Sequence, residues 1–163
     1  MKVSAILLAA GYGTRMRSAL PKVLHSLLGR PMVQFALEAA TRVTGNKPVV
    51  VVGHGAEQVR SALGDTADFV LQEPQLGTGH AVQQVEPVLR GKSDLVLVTY
   101  ADMPLLSAET MEKIVQAQRS HTGPVTMLTL IAEDPRGFGR ILRDVDGRLQ
   151  ASGEEAQATP EQL

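Results

Sequence analysis

Short apolar runs alternate with amphipathic stretches along most of this chain. Residues 3–9, 48–52 and 95–98 are continuous runs of apolar or small residues, and the first two lead into glycine-containing turns. Runs of this length are typical of strands that are buried on both faces, as in a parallel sheet. We therefore predict three central strands, and residues 68–72 are a candidate for a fourth.

Helical periodicity separates the predicted strands. From Val33 onward, apolar residues recur at positions i, i+3, i+4 and i+7, which places them on one face of a helix. The predicted helices begin at Pro31, span 56–63, run from a Thr78 cap to a stop at Pro87, and follow a Ser107 cap. Strands that alternate with helices predict βαβ units, and hence a Rossmann-like α/β fold with a mostly parallel open sheet flanked by helices.

The last part of the chain has a less regular pattern. Residues 125–131 are rich in β-forming side chains and predict a further strand, and residues 140–150 predict a hairpin that turns at Asp146 and Gly147. Residues 151–163 lose apolar periodicity, so we expect a loose C-terminal segment. The chain thus predicts one domain over residues 1–150, followed by that segment.

Composition narrows the classes of function. The 163 residues carry a formal net charge of −1, and aromatic residues make up 3%, so a nucleic-acid partner is not expected. No Cys is present, which excludes a cysteine nucleophile or thiolate metal site and is in keeping with a cytoplasmic protein. The apolar run at residues 3–9 could be misread as a signal peptide. The specific loop behind it favours a buried strand instead, and no membrane association is expected.

The loop after the first predicted strand carries the first chemical signal. The stretch from Leu8 to Met16 places two glycines and Arg15 beyond the end of a strand, and Lys22 follows. It lacks the third glycine of the dinucleotide fingerprint and the ending of the Walker A motif. Glycines let a phosphate approach backbone N–H groups, and the two cations can neutralise its oxygens. We interpret the loop as a phosphate site, with a plain connection bearing solvated charges as the alternative.

Two further segments suggest a nucleobase site and a metal site beside the phosphate site. Gln72 precedes a turn at Gly77 and Thr78, and a glutamine amide can both donate to and accept from the edge of uracil. Asp102 closely follows an apolar strand, where one carboxylate plus substrate phosphates would suit Mg²⁺. The alternatives are a helix cap at Thr78 and a turn cap at Asp102. We interpret His80 as a packing or helix-surface residue.

Taken together, these segments resemble the uridylyltransferase domain of the bacterial bifunctional GlmU family, which makes UDP-N-acetylglucosamine. The matching stretches keep the family's order and spacing, and they are residues 8–16, 21–25, 75–81, 102–105 and 137–141. Many sugar-nucleotide pyrophosphorylases share the first stretch. The sequences Lys-Val-Leu-His and Gln-Leu-Gly-Thr-Gly-His-Ala are more particular to this family.

The resemblance implies the nucleotide-diphospho-sugar transferase fold and a reaction. UMP would pass from UTP to N-acetylglucosamine 1-phosphate, giving UDP-N-acetylglucosamine and pyrophosphate, with Mg²⁺ as cofactor. The expected catalytic residues are Arg15 and Lys22, and the expected metal ligand is Asp102. The expected nucleotide-binding residues are Leu8, Ala9, Ala10, Gly11, Gly13, Thr14, Gln72, Gly77 and Thr78. The expected sugar-phosphate residues are Tyr100, Ala101, Gly139 and Glu154.

The chain departs from the family in ways that leave alternatives open. Ala101 stands where the family usually has Gly, and Ser152 and Gly153 replace a β-branched pair before Glu154. The family's domain continues beyond residue 163, so we expect the C-terminal part of the fold to be missing. A trimerising acetyltransferase domain also lies further on, so no oligomeric state is predicted. Two other hypotheses are a nucleotidyltransferase for another sugar phosphate or a molybdopterin cofactor, and a fragment that binds nucleotide without turnover.

Overall fold

A four-stranded parallel sheet forms the centre of the first part of the chain. The computed structural model describes residues 1–153 and residue 159, and the chain forms two compact units, Met1–Pro124 and Val125–Leu163. The elements of the first unit are, in chain order, β1 (Val3–Leu8), β2 (Ser26–Leu27), β3 (Arg30–Pro31), α1 (Met32–Thr44), β4 (Val49–Val52), α2 (Ala56–Leu63), β5 (Asp68–Leu71), α3 (Thr78–Leu89), β6 (Leu95–Tyr100) and α4 (Ala108–Arg119). The predicted α/β class is therefore confirmed.

The order of the strands creates a crevice at one edge of the sheet. The strands lie in the order β5-β4-β1-β6 and are all parallel. In the register of β1, Ile6 lies between Val49 of β4 and Val98 of β6. The chain builds outward from β1 through β4 and β5, and then returns to place β6 on the other side of β1. Such a reversal leaves a crevice at the carboxyl ends of the strands, where open α/β sheets bind ligands.

The prediction that residues 95–98 form a central strand buried on both faces is wrong. In the described part of the chain β6 lies at the edge of the sheet, and its Val96 and Val98 are exposed.

Helices pack on both faces of the sheet. On one face, α1, α2 and α4 pack on a core that contains Val59, Met111 and Val50. On the other face, α3 packs through Val85 on a second core that contains Val51. Adjacent residues of β4 thus enter opposite cores, as expected of a strand that is buried on both faces. No helix in the described residues is both long enough and apolar enough to cross a membrane.

The strand predicted over residues 125–131 is wrong. The backbone of this segment has no regular secondary structure, and Leu130 and Ile131 are exposed. The sheets formed by the described residues contain no strand from this segment. Because a strand is stabilised by its neighbours, high β propensity without a pairing partner does not produce one.

The ends of two helices refine the local predictions. At α3 the cap position is Gly77, and the Thr78 side chain makes no capping hydrogen bond. This helix also continues past Pro87, because a proline in the last turn removes a backbone hydrogen bond close to where the helix ends in any case. At α4 the predicted cap is confirmed, since the Thr110 N–H donates to Ser107 Oγ at 3.2 Å.

The second unit contains the predicted hairpin. Its strands are β7 (Arg140–Arg143) and β8 (Leu149–Gly153), which pair in antiparallel fashion. Gly147 has a φ of 78° in the turn, and its N–H donates to the Asp144 carbonyl at 3.0 Å. The hairpin is confirmed, and it extends to residue 153. The predicted division into residues 1–150 and 151–163 stays a prediction.

Replacing Val50 by Ala tests the packing of the central sheet. Val50 is fully buried, so losing two methyl groups should lower the free energy of unfolding by about 2 kcal/mol. Val96, which is 46% exposed on β6, provides the matched control, and Val96→Ala should cost about 0.5 kcal/mol or less. Urea denaturation followed by circular dichroism measures both values. Equal losses would contradict the assignment of Val50 to the core.

Candidate active site

A cavity opens where the strand order predicts a ligand site. Its volume is about 450 Å³, within the range of roughly 300–1,000 Å³ that is usual for small-molecule sites. The residues around it come from the loops that follow β1, β5 and β6. Three loops that are distant in sequence therefore meet at the carboxyl edge of the sheet.

Most of the site residues predicted from the sequence line this cavity. They are Leu8, Ala9, Ala10, Gly11, Gly13, Thr14, Arg15, Lys22, Gln72, Gly77, Thr78, Tyr100 and Asp102. Gly139 lies in the second unit, directly before β7. Glu154 lies outside the described residues. The contacts predicted for these two residues with a sugar phosphate stay predictions.

The loop after β1 is fixed to the sheet before it opens into the cavity. Ala9 and Ala10 are buried, and the Ala9 N–H donates to the Val51 carbonyl at 2.9 Å. Gly11, which follows, is exposed, and a Cβ there would meet nothing within 4 Å. The backbone at Gly11 is therefore accessible to a ligand from a rigid support.

Gly13 lies where the backbone after β1 packs against the stem of Lys22. Its φ is +60°, and a Cβ at this position would lie 2.8 Å from Lys22 Cβ. A glycine therefore allows both the left-handed backbone and the close approach of the Lys22 stem. Lys22 opens a short 3-10 turn, Lys22–Leu24, in which Val23 is buried. This anchor holds the base of the lysine side chain at the cavity wall.

Lys22 and Asp102 form an ion pair at the cavity. The distance from Lys22 Nζ to Asp102 Oδ2 is 2.6 Å, and the two side chains are 36% and 29% exposed. An ion pair with this much access to water contributes about 1 kcal/mol or less to stability, so an incoming anion or cation can separate the partners at little cost. Arg15 also lines the cavity and forms no ion pair within the described residues.

The loop after β5 contributes two glutamines. Gln72 is only 3% exposed, and its Nε2 donates to the Gly77 carbonyl at 2.9 Å. Gln75 accepts at Oε1 from the Tyr12 hydroxyl at 2.8 Å. A Cβ at Gly53 would lie 2.5 Å from Gln75 Nε2, so that glycine makes room for the Gln75 side chain. This side of the cavity is thus built from amides held in defined positions.

Some lining residues were not among the predicted site residues. They are Met16, Val23, Gln75 and Ala81. Gln75 had a usable signal, because it follows Gln72 in the same glycine-containing loop. The apolar residues lie within the stretches that match the family, but their types carry no chemical signal, because their place at the cavity depends on how the loops fold over the sheet.

At the end of β6 and just beyond it, residues that line the cavity alternate with a buried residue. Tyr100 and Asp102 line the cavity, whereas Ala101 between them is completely buried. The Ala101 N–H donates to the Leu8 carbonyl at 3.1 Å and so ties this loop to β1. The sugar-phosphate contact predicted for Ala101 stays a prediction.

A metal ion at this cavity would draw few ligands from the protein. Within residues 1–153 and 159, no group of three or more His, Asp or Glu side chains could hold a metal. Asp102 supplies one carboxylate beside Lys22. Mg²⁺ characteristically takes one or two carboxylates plus water and substrate phosphates. The donor set therefore fits a cation that is shared with a phosphate ligand.

The comparison with protein families agrees with this geometry. The family described as the MobA-like NTP transferase domain matches residues 5–144, which include all three loops of the cavity. The chain belongs to this family. The structure is accordingly that of a nucleotidyltransferase domain.

Two curated relatives of this NTP transferase domain carry a more specific name. The chain is 44% identical over 158 residues to the bifunctional protein GlmU of Bacillus subtilis, covering 97% of this chain and 35% of that protein. It is 45% identical over 163 residues to the GlmU protein of an Exiguobacterium species, covering 100% of this chain and 36% of that protein. The chain therefore spans about a third of the length of these relatives.

A solved structure shares the fold. It is a Bacillus anthracis protein provisionally described as a glucose-1-phosphate thymidylyltransferase, with a TM-score of 0.75 and 18% sequence identity. The match covers 94% of this chain and 64% of that protein. At this identity the likeness concerns the fold alone, and it confirms the predicted nucleotide-sugar transferase fold.

Replacing Gly13 by Ala tests the packing between the loop and Lys22. The added Cβ would collide with the lysine stem, so we expect Lys22 to shift and the affinity for a nucleoside triphosphate to fall about threefold. Isothermal titration calorimetry measures this affinity.

Gly29→Ala is the matched control for backbone strain. Gly29 also has a positive φ, +81°, but a Cβ there would meet nothing within 4 Å. Gly29→Ala should lose about 1 kcal/mol of stability, and Gly13→Ala should lose more because of the collision, whereas only Gly13→Ala should bind more weakly. If the two variants bound equally well, the Gly13 contact would have no part in placing Lys22.

Proposed function

We propose that this domain transfers UMP from UTP to N-acetylglucosamine 1-phosphate, giving UDP-N-acetylglucosamine and pyrophosphate. The observation that carries the proposal is the meeting of three loops at one cavity. One loop offers backbone and cations to phosphates, the second offers amides to a base, and the third offers a carboxylate. The identity of 44% and 45% to two GlmU proteins supports uridine and this sugar as the substrates.

The chemistry requires two polyanions to meet in line. A phosphate oxygen of the sugar phosphate forms a bond to the α-phosphorus of UTP, while the bond from that phosphorus to the bridging oxygen breaks and pyrophosphate leaves. No nucleophile from the protein is needed. The protein's task is to orient the two substrates and to offset their charge, which are the main sources of rate enhancement in phosphoryl transfer.

We assign phosphate binding to two cationic side chains and to backbone N–H groups. Arg15 and Lys22 lie on the side of the cavity formed by the loop after β1. When UTP enters, its phosphate oxygens replace the Asp102 carboxylate as the partner of Lys22. The lysine then neutralises charge that increases on the leaving pyrophosphate. Gly11 and Gly13 let the backbone approach the same phosphates.

The exchange of partners also frees a metal ligand. Nucleotidyltransferases generally use a divalent metal, and we propose Mg²⁺ with Asp102 as its ligand from this chain. Bound Mg²⁺ would neutralise phosphate charge and orient the α-phosphate. In the structure Asp102 is paired with Lys22. Once Lys22 has turned to the phosphates, the Asp102 carboxylate is available to bind the metal ion.

The remaining substrate contacts follow the cavity walls. We assign the uracil and ribose to Gln72, Gly77 and Thr78, which line one side. We assign the sugar phosphate to Tyr100 and to backbone near Ala101.

The reaction itself is the first test. The chain is supplied with UTP, Mg²⁺ and N-acetylglucosamine 1-phosphate, and pyrophosphate release is measured beside UTP binding. We expect release with UTP and little with GTP or TTP. Release with another nucleotide but not with UTP would favour a different nucleotidyltransferase. UTP binding without release would instead support a nucleotide-binding role alone.

Replacing Lys22 by Ala tests its assignment to the transition state. A contact that strengthens as charge develops on the leaving group affects turnover more than binding. We expect turnover to fall about 100-fold and UTP affinity to fall less than about tenfold. Pyrophosphate release and calorimetry give the two values.

Lys92→Ala is the control for the loss of a positive charge. Lys92 is exposed and precedes β6, at the opposite edge of the sheet from the cavity. This variant should keep both turnover and affinity within about twofold. Equal losses of turnover and affinity in Lys22→Ala would place the lysine in ground-state binding only.

A further inference from the structure

The side chain of Gln72 is held by an unusually complete set of contacts for a ligand-binding residue. Its backbone N–H donates to the Val52 carbonyl at 2.8 Å, which continues the pairing of β5 with β4. Its amide Nε2 lies 2.9 Å from the Gly77 carbonyl oxygen and 3.1 Å from His80 Nδ1. With 3% of the residue exposed, these contacts determine how the amide faces the cavity.

The Gly77 carbonyl determines where the NH₂ group and the oxygen of the Gln72 amide lie. A carbonyl oxygen can only accept, so the group that faces it must be the NH₂ of Gln72. The NH₂ group has two hydrogens and no acceptor. The second hydrogen points at His80, and His80 Nδ1 must therefore be the unprotonated, accepting nitrogen of a neutral ring.

This tautomer of His80 also determines how the amide of Gln84 must be oriented. In a neutral ring whose Nδ1 accepts, the proton is on Nε2, which then donates. Gln84, one turn further along α3, is placed with its amide Nε2 3.0 Å from His80 Nε2. Two donors cannot pair, so with this tautomer the Gln84 amide is turned over and accepts through Oε1. A chain of donors thus runs from Gln72 to His80 and on to Gln84.

These contacts determine which atom of the Gln72 amide is available to a ligand in the cavity. Both N–H groups of the Gln72 amide are used within the protein, and Oε1 has no hydrogen-bond partner in the described part of the chain. Gln72 lines the cavity, and Oε1 is not among the buried polar atoms that lack a partner. The amide therefore offers an approaching base an acceptor and no donor.

We propose that His80 is a positioning residue that keeps the amide of Gln72 with its oxygen toward the nucleobase and so sets the preference for uracil over cytosine. The proposal rests on the proposed function, which places uracil beside Gln72. Uracil carries an N–H at position 3, which an acceptor matches. Cytosine has a lone pair there, which an acceptor repels. Without His80, the Gly77 carbonyl is the one contact that still holds the NH₂ group within the described residues, so the amide can turn over and present its NH₂ to cytosine.

Nucleotide selectivity tests the proposal. Calorimetry with UTP and CTP gives the ratio of their affinities, which we expect to be at least about tenfold in the unmodified chain. His80→Ala should bring the ratio to about threefold or less. His80→Asn should keep it, because an Asn oxygen can stand where Nδ1 accepts. His80→Gln places its amide nearer the position of Nε2 and should behave like His80→Ala.

A matched pair of neighbours on α3 provides the controls. Gln84→Ala removes the acceptor of His80 Nε2 and should lower the ratio in part, whereas Gln83→Ala removes an exposed neighbouring glutamine and should leave it unchanged. A purely structural role for His80 would weaken UTP and CTP binding equally. An unchanged ratio in His80→Ala would overturn the proposal.

The tautomer is measured without any nucleotide. Spectra of ¹⁵N-labelled histidine, with His80 assigned by its loss in His80→Asn, should show a neutral ring protonated at Nε2. A ring protonated at Nδ1 would overturn the proposed orientation of Gln72. If the unmodified chain bound no UTP, the proposed function and the selectivity would fail together, while this measurement would still decide the orientation of the amide.

Discussion

The structure depends on the parallel pairing of β1 with a strand on each side. β4 is reached directly after α1, whereas β6 is reached only after the chain has passed through β5 and crossed the other face of the sheet with α3. Every backbone group of the buried strand is satisfied only if both neighbours are present. Because parallel strands end at a common edge, this pairing also brings the loops after β1 and β6 together. The Ala101 N–H that donates to the Leu8 carbonyl continues the same pairing beyond the strands, at the floor of the cavity.

Two opposite charges at that edge pair with each other. Lys22 pairs with Asp102 at 2.6 Å, so a lysine suited to phosphates and a carboxylate suited to a cation neutralise each other without ligand. A polyanion with its counterion can replace both partners at once. The pair contributes about 1 kcal/mol or less to stability, and under the proposed function it favours a ligand that carries both kinds of charge. A cavity with cations alone would bind any anion, and the nearby carboxylate restricts that choice.

Several elements could be predicted from local patterns because their causes are local. The valine run of β4, the Ser107 cap of α4 and the hairpin turn at Gly147 each depend on side-chain periodicity or backbone geometry within a few residues. Residues 125–131 show the limit of such patterns, since a strand also needs a partner that propensity does not supply. His80 shows a second limit. The position of His80 on a helix predicts a packing or helix-surface residue. Its function as an acceptor at Nδ1 follows from the Gln72 amide, which the loop after β5 places beside it.

The sequence by itself determined the α/β class, the succession of strands and helices, and most of the residues that line the cavity. For the glycines, cations and carboxylate it could do so because groups just beyond apolar strands come to lie at one edge whenever the strands are parallel. The other predicted lining residues were implied by the resemblance to the GlmU family. Only the tertiary structure decided which of those groups touch. Lys22 and Asp102 are 80 positions apart in the chain, and the orientation of Gln72 depends on a carbonyl and an imidazole in the following turn and helix. Contacts of this kind depend on distances of a few ångströms between separately placed loops, and the packing of those loops on the sheet determines these distances.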